Sequence, residues 1–235
     1  MKTIKNFVSL FVLLIMISSA LNSCKDDEEC AYVVCEDSLE RITDFENDSL
    51  GTTSDWQGIA SSGIAIVSRN GSNVLQALDG SGASFVFTET IFPSNLIAAG
   101  CELQYEVEYF GGTNNPVGAA NSIIIYQGTS INTATVLASF VLNTTSLVIS
   151  SDPPKQIIVP IELATSTALP SNSFGQWVLS GANTTTPAAD AVLFNNLIQN
   201  TSGLGFYLDS GGNPAEQWWY DNFTFKKCCS FDTSK

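Results

Sequence analysis

Between Cys101 and Tyr109 the chain alternates without a fault: Cys101, Leu103, Tyr105, Val107 and Tyr109 against Glu102, Gln104, Glu106 and Glu108. A period of two gives a β-strand with one buried and one wet face. That places Cys101 on the core side, as a small apolar side chain with a free, unreactive thiol. Shorter segments of strand character flank it: Ile42–Glu46, Ile64–Ser68, Val74–Leu78, Ala83–Glu89, Ser122–Tyr126, Thr135–Leu142, Ile157–Leu163, Trp177–Leu179, Gly203–Asp209 and Gln217–Lys227. Turn signals such as Arg69-Asn70-Gly71-Ser72 and Asp79-Gly80-Ser81-Gly82 separate them. Only Ala188–Gln199 has helical spacing, through Ala191, Phe194, Leu197 and Ile198, with Pro187 at its start. No long-period repeat occurs, so solenoids and propellers are out. The pattern predicts an all-β fold: an antiparallel β-sandwich of jelly-roll type, with one short helix before the last strands.

The domain does not begin at residue 1. Lys2 and Lys5 precede an apolar run from Phe7 to Ala20, too short to span a bilayer and suited to the core of a signal peptide. It ends in Leu21-Asn22-Ser23-Cys24, which resembles a bacterial lipobox. That resemblance implies that residues 1–23 are removed and that Cys24 carries diacylglycerol and acyl chains. Several chains anchor firmly, whereas one holds only marginally. Lys25-Asp26-Asp27-Glu28-Glu29 resembles the surface-export signal of lipoproteins in one large phylum of Gram-negative bacteria. The expected location is the outer membrane, lipid-anchored and exposed at the cell surface. The expected division is a leader over 1–23, a lipidated tether over 24–38, the sandwich over 39–229 and a tail over 230–235.

Without the leader the chain has seven basic and 23 acidic residues, formally −16. Such a surface repels nucleic acid and anionic lipid, so neither is a partner. Charged residues are nevertheless only 14 % of the sequence. Ser, Thr, Asn and Gly supply the rest of the polarity, a composition common in secreted β-proteins that face neutral, hydroxyl-rich partners. The sequence has no His, which excludes His-based triads, His-liganded zinc and imidazole acid–base chemistry. Of the six Cys, lipidation uses Cys24. Cys30 and Cys35 open the mature chain and Cys228-Cys229 lie near its end, so at least one disulfide from the first pair to the second is expected. Two such bridges require the Cys30–Cys35 segment to bend, because bridged Cα atoms lie within ~7 Å and an extended step of five residues covers ~17 Å.

The order of features resembles the laminin IV type A domain and its bacterial relatives, among the galactose-binding-like jelly rolls. The likeness runs from about Thr43 to Lys227. It rests on Asp79, Phe85-Val86-Phe87, Gly100-Cys101-Glu102-Leu103, Ile123-Ile124-Ile125, Trp177, the helix running into Ser202-Gly203-Leu204, and Tyr220-Asp221-Asn222-Phe223. Asp44-Phe45-Glu46 at the start and Tyr220-Asp221-Asn222 at the end also resemble the corresponding stretches of carbohydrate-binding modules. In those modules carboxylates near the ends of the first and last strands hold a structural Ca2+, which implies Asp44, Glu46 and Asp221 as metal ligands here. The residues add their own argument, since Asp221 shares a strand face with Trp219, Phe223 and Phe225, and an unpaired carboxylate there is costly.

Counting back from Phe223 and Phe225 as core residues puts Trp218, Tyr220 and Asn222 on the wet face of the last strand. Two aromatics ~6.5–7 Å apart suit stacking on sugar rings, with Asn222 hydrogen-bonding the ligand. Glu106 and Glu108 form an i,i+2 pair within the ~5–9.5 Å that glycosidases use, yet any solvated strand face looks like this, so no catalytic residue is assigned. The leading expectation is non-catalytic binding of a glycan or surface polymer. The alternatives are an accessory lipoprotein docking onto an outer-membrane protein partner, and a glycoside-cleaving enzyme.

Overall fold

The protein is described from a computed structural model, which covers residues 38–228 apart from 54, 62, 81, 111–121, 151, 181–185 and 209–215. Cys24, the expected lipidation site, and Cys30, Cys35 and Cys229 lie outside the described residues. Among the described residues twelve strands form two antiparallel sheets. The strands are β1 (Ser38–Thr43), β2 (Gln57–Ile59), β3 (Gly63–Arg69), β4 (Ser72–Leu78), β5 (Phe85–Thr88), β6 (Glu102–Phe110), β7 (Ile123–Gln127), β8 (Val136–Leu142), β9 (Lys155–Pro160), β10 (Gly175–Ser180), β11 (Gly203–Tyr207) and β12 (Gln217–Lys227). One sheet runs β3-β4-β12-β6-β9, with β1 also on β12; the other runs β10-β8-β7-β11-β5-β2. The chain passes repeatedly between the sheets, and the architecture is the jelly-roll sandwich that the strand pattern predicts.

Two helices are described where the sequence predicts one: α1 (Leu96–Ala99) and α2 (Pro187–Gln199). Four residues are too few to show a helical period, which is why α1 escaped notice. The Thr186 side chain caps α2 by accepting from Ala189 N at 3.2 Å, and its buried residues are the predicted Ala191, Phe194, Leu197 and Ile198.

The core lies between the sheets. Leu103, Tyr105, Val107 and Tyr109 enter it from β6, Ile123 and Ile125 from β7, and Leu204 and Phe206 from β11. A second cluster covers part of the far face of the β7–β11–β5 sheet, where Ile131 packs with Phe87, Ile124 and Tyr126. Gly205 is required beneath it, because a Cβ there would meet Val86 O at 2.5 Å and Ile131 Cδ1 at 2.8 Å.

Two expectations are corrected here. Cys101 is not a free thiol: it is bonded to Cys228, with Cα atoms 5.5 Å apart. The pairing follows from register, since Cys101 N donates to Lys226 O at 2.9 Å, so the start of β6 and the end of β12 run side by side. Cys228 is therefore unavailable to Cys30 or Cys35. The second correction is that Trp218 and Tyr220 are core residues, each 0 % exposed. Between Asp221 and Thr224 the register of β12 against β6 shifts, and Asn222 adopts φ 53°. This β-bulge inserts an extra residue and reverses the parity of the strand. Phe223 and Phe225 do face the core, as expected, but so do Trp218 and Tyr220 on the other side of the bulge.

Candidate functional site

With the parity reversed, Trp219 and not Trp218 stands on the outer face of its sheet. Across the ladder its neighbours are Gln76 on β4 and Glu108 on β6. The Phe110 ring lies beside it, with centroids 4.5 Å apart and planes tilted by 47°. Arg69 is delivered from the other side by the β3–β4 hairpin. Asn70 and Gly71 take positive φ there, 51° and 91°, and Arg69 pairs directly with Ser72, the two-residue turn that Asn-Gly favours. The Arg69 guanidinium carbon sits 4.3 Å from the Trp219 ring centroid and 4.6 Å from that of Phe110. Its Nη2 donates to Glu108 Oε1 in an ion pair.

Arg69, Glu108 and Trp219 line a cleft of about 180 Å3, with Ser72, Val74, Glu106, Pro154 and Asp221 among the other lining residues. Glu106 and Asp221 face each other directly across β6 and β12. Sequence reasoning took the polar face of β6 as solvated, yet Glu108 is only 6 % exposed and Gln104 9 %. The cause is position: β6 is an interior strand, flanked by β12 and β9, and Arg69 closes over Glu108. Trp219 Nε1, Arg69 Nε and Glu108 Oε2 are buried and lack hydrogen-bond partners.

The three predicted calcium ligands separate into a pair and an outlier. Asp44 Oδ2 accepts from Arg41 Nη1 at 2.5 Å and Asp44 Oδ1 accepts from Glu46 N at 3.3 Å, so that carboxylate is already occupied. Glu46 and Asp221 converge instead on Ser72. Its hydroxyl donates to Glu46 Oε1 and lies 3.4 Å from Asp221 Oδ2, while Asn73 N donates to Glu46 Oε1 at 3.0 Å. Among the described residues no three His, Cys, Asp or Glu side chains are close enough together to hold an ion. Two carboxylates and a hydroxyl are nevertheless hard oxygen donors of the kind calcium takes, and backbone carbonyls and water would complete its six to eight ligands. Asp221 is 8 % exposed. Burial foremost, with the nearby charges of Glu106 and Glu46, raises its pKa from 3.8 to about 6 against the pull of the hydrogen bonds from Asn222 and Ser72. A carboxylate in that state lacks a counter-charge.

Of the predicted glycan contacts, Trp218 and Tyr220 belong to the core: Trp218 Nε1 donates to Leu208 O at 2.8 Å, and the Tyr220 ring stacks on Phe206 with centroids 4.1 Å apart. Asn222 occupies the bulge, where its N and Nδ2 donate to Asp221. Trp219, Phe110 and Arg69 were missed. The signal for them was Asn222 itself, an Asn inside a strand pattern, since Asn tolerates positive φ better than most residues.

No family model matches the chain, and no curated protein matches it. Solved structures do. An exo-β-agarase aligns with a TM-score of 0.53 at 10 % identity, over 81 % of this chain and 25 % of that one. The family 11 carbohydrate-binding module of a cellulosomal cellulase of Clostridium thermocellum aligns with a TM-score of 0.47 at 13 % identity, over 84 % of this chain and 99 % of that one. The L4b domain of human laminin alpha-2 aligns with a TM-score of 0.44 at 14 % identity, over 70 % and 83 %. What the chain shares with the agarase structure is the fold alone, and its own two sheets make it a jelly-roll sandwich.

Proposed function

We propose that this domain binds a glycan without cleaving it, and that Cys24 anchors it by lipid to the outer membrane with the sandwich exposed at the cell surface. The observation that carries the reading is the half-buried Trp219 ring, which lines a cleft on the outer face of its sheet and is held there by Phe110 and Arg69. Aromatic rings with a polar handle are what sugar rings stack on, and the carboxylates of Glu106 and Asp221 in the same cleft are hydrogen-bond acceptors for hydroxyl groups. Cleavage is disfavoured by the state of the acidic pair, since Glu108 is buried and committed to Arg69. The test is retention on a panel of insoluble polysaccharides. The parent is retained on at least one, and Trp219→Ala weakens that retention at least tenfold while the fold is kept. Retention on none of them, beside a stoichiometric membrane-protein complex in mild detergent, would support the accessory-subunit alternative instead.

A calcium ion at Glu46 and Asp221 is part of the proposal. Its support is the pair of carboxylates meeting at Ser72 and the missing counter-charge at Asp221. When bound it would neutralise that pair and tie the turn after β1 to β12. Melting in chelator and in calcium buffer tests it, with a higher melting temperature expected in calcium.

A further inference from the structure

Arg69 and Glu108 stand on strands that are not neighbours. In the order β3-β4-β12-β6 two strands lie between them, a separation of about 14 Å at the usual spacing of paired strands. Their ion pair therefore passes over β4 and β12, and Trp219 lies directly opposite Glu108 on β12. The guanidinium meets the indole on the way, 4.3 Å from its centroid, and the Phe110 ring at 4.6 Å. Trp219 and Phe110 are themselves 4.5 Å apart, so the three groups touch pairwise. Glu108 anchors the set, its side chain 7 % exposed against 21 % for Arg69. Breaking a pair so placed strands a buried charge, so the guanidinium is firmly held. The base of Arg69 is fixed as well: the Asn70-Gly71 turn sets it opposite Ser72, whose hydroxyl donates to Glu46.

The polar atoms of Arg69 are turned into the protein, with Nη2 taken by Glu108 and Nε buried. What Arg69 gives the cleft is the orientation of Trp219. An indole standing on an outer sheet face has several staggered rotamers, and fixing one of them at the moment of binding costs affinity. A flat guanidinium stacked against the ring fixes it before any ligand arrives. We infer that Arg69 is a positioning residue for glycan binding: clamped by Glu108, it presets the Trp219 indole for a sugar ring and acts through that ring, not by hydrogen bonds to the sugar. The inference rests on the glycan-binding reading above and names what makes its binding surface competent.

Removing Arg69 alone would strand Glu108, so the main variant removes both charges, Arg69→Met with Glu108→Gln. It is compared with the parent, with Trp219→Ala and with all three substitutions together, in depletion isotherms on cellulose, xylan, mannan and agarose. On a polymer that retains the parent, the charge-free variant should bind about threefold to tenfold more weakly, the penalty for immobilising one side chain. In the Trp219→Ala background the same two substitutions should change affinity by less than about twofold, because no ring is left to position. Arg69→Lys, which keeps a charge for Glu108 and loses the flat stacking surface, should fall between. A second readout needs no ligand. With 5-fluorotryptophan in place of the four tryptophans, the 19F resonance that vanishes in Trp219→Phe belongs to Trp219. It should shift or broaden in the charge-free variant while the other three stay in place; a merely structural role moves all four or none. Parental affinity in that variant, or an unmoved Trp219 resonance, overturns the inference and leaves glycan binding standing. So do losses that add in the Trp219→Ala background, which would make Arg69 a direct contact. If the charge-free variant misfolds, parental affinity and an unmoved resonance in Arg69→Lys overturn the inference in its place. Retention of the parent on none of the four polymers removes the glycan-binding reading, and this inference with it.

Discussion

Replacing Trp218 with Ala tests the bulge and the placement of the cleft together. Trp218 is fully buried, lies 4.4 Å from the Tyr109 ring between centroids and donates to Leu208 O. Emptying a buried Trp site costs ~3–5 kcal/mol. Leaving the Leu208 carbonyl without its donor adds about 1 kcal/mol. The expected loss is therefore about 4–6 kcal/mol. In a domain of this size each kcal/mol is worth ~2–4 °C, so the melting temperature should fall by about 10–20 °C. Trp219→Ala is the control one residue away. It removes a half-buried ring, an aromatic pair worth ~0.5–1.5 kcal/mol and a cation–π contact worth ~0.5–1 kcal/mol. Its melting temperature should drop by only ~3–8 °C. Thermal unfolding followed by far-ultraviolet circular dichroism, with urea titration as a check on the slope, measures both. If the two variants fall equally, or Trp219→Ala falls further, the parity assigned to the first half of β12 is wrong and the cleft goes with it.

Three further outcomes are expected. Peptide mapping without reduction should recover a Cys101–Cys228 peptide, and Cys101→Ser should lower stability by up to ~5 kcal/mol in the entropic model. In metal-free buffer Asp221→Asn should be more stable than the parent at pH 7. A carboxyl whose folded pKa is raised from 3.8 to about 6 costs stability above pH 6 and nothing below its unfolded value. The gap, at most ~3 kcal/mol, should therefore close as the pH falls from 7 to 4; a gap that widens instead would refute the assignment. Cys24→Ser should release the protein from membranes or leave its leader uncut, and normal processing with intact anchoring would remove the lipoprotein reading.

Much of the fold was legible because its signals are local. The alternation in β6 is a property of nine consecutive residues, the Asn70-Gly71 turn needs two, and the buried stripe of α2 repeats within thirteen. The candidate site was less legible because each part depends on something non-local. Glu108 reads as a solvated residue until β12, β9 and Arg69 are placed around it. Trp219 reads as a core residue because its parity was counted across Asp221–Thr224, where one extra residue reverses every side chain before it. Glu46 and Asp221 both approach Ser72, a proximity between distant parts of the chain that no spacing in the sequence carries. Asp44 stands apart from them, paired with Arg41 three residues before it.

The pairing of β1 with β12 has a mechanical consequence. Ser38, where the described chain begins, lies opposite Lys227, while Trp219 and the cleft lie toward the other end of β12. Tension applied at Ser38 and resisted by a ligand held at Trp219 runs along the strands and not across them. The β1–β12 hydrogen bonds are then loaded together in shear and must fail as a group, whereas a perpendicular pull would unzip them one at a time. The Cys101–Cys228 bond ties the loaded end of β12 to β6, so the second strand of that joint cannot peel away from the sheet. A sandwich strung this way would stay folded under a pull between Ser38 and Trp219 that would open it if applied across the strands.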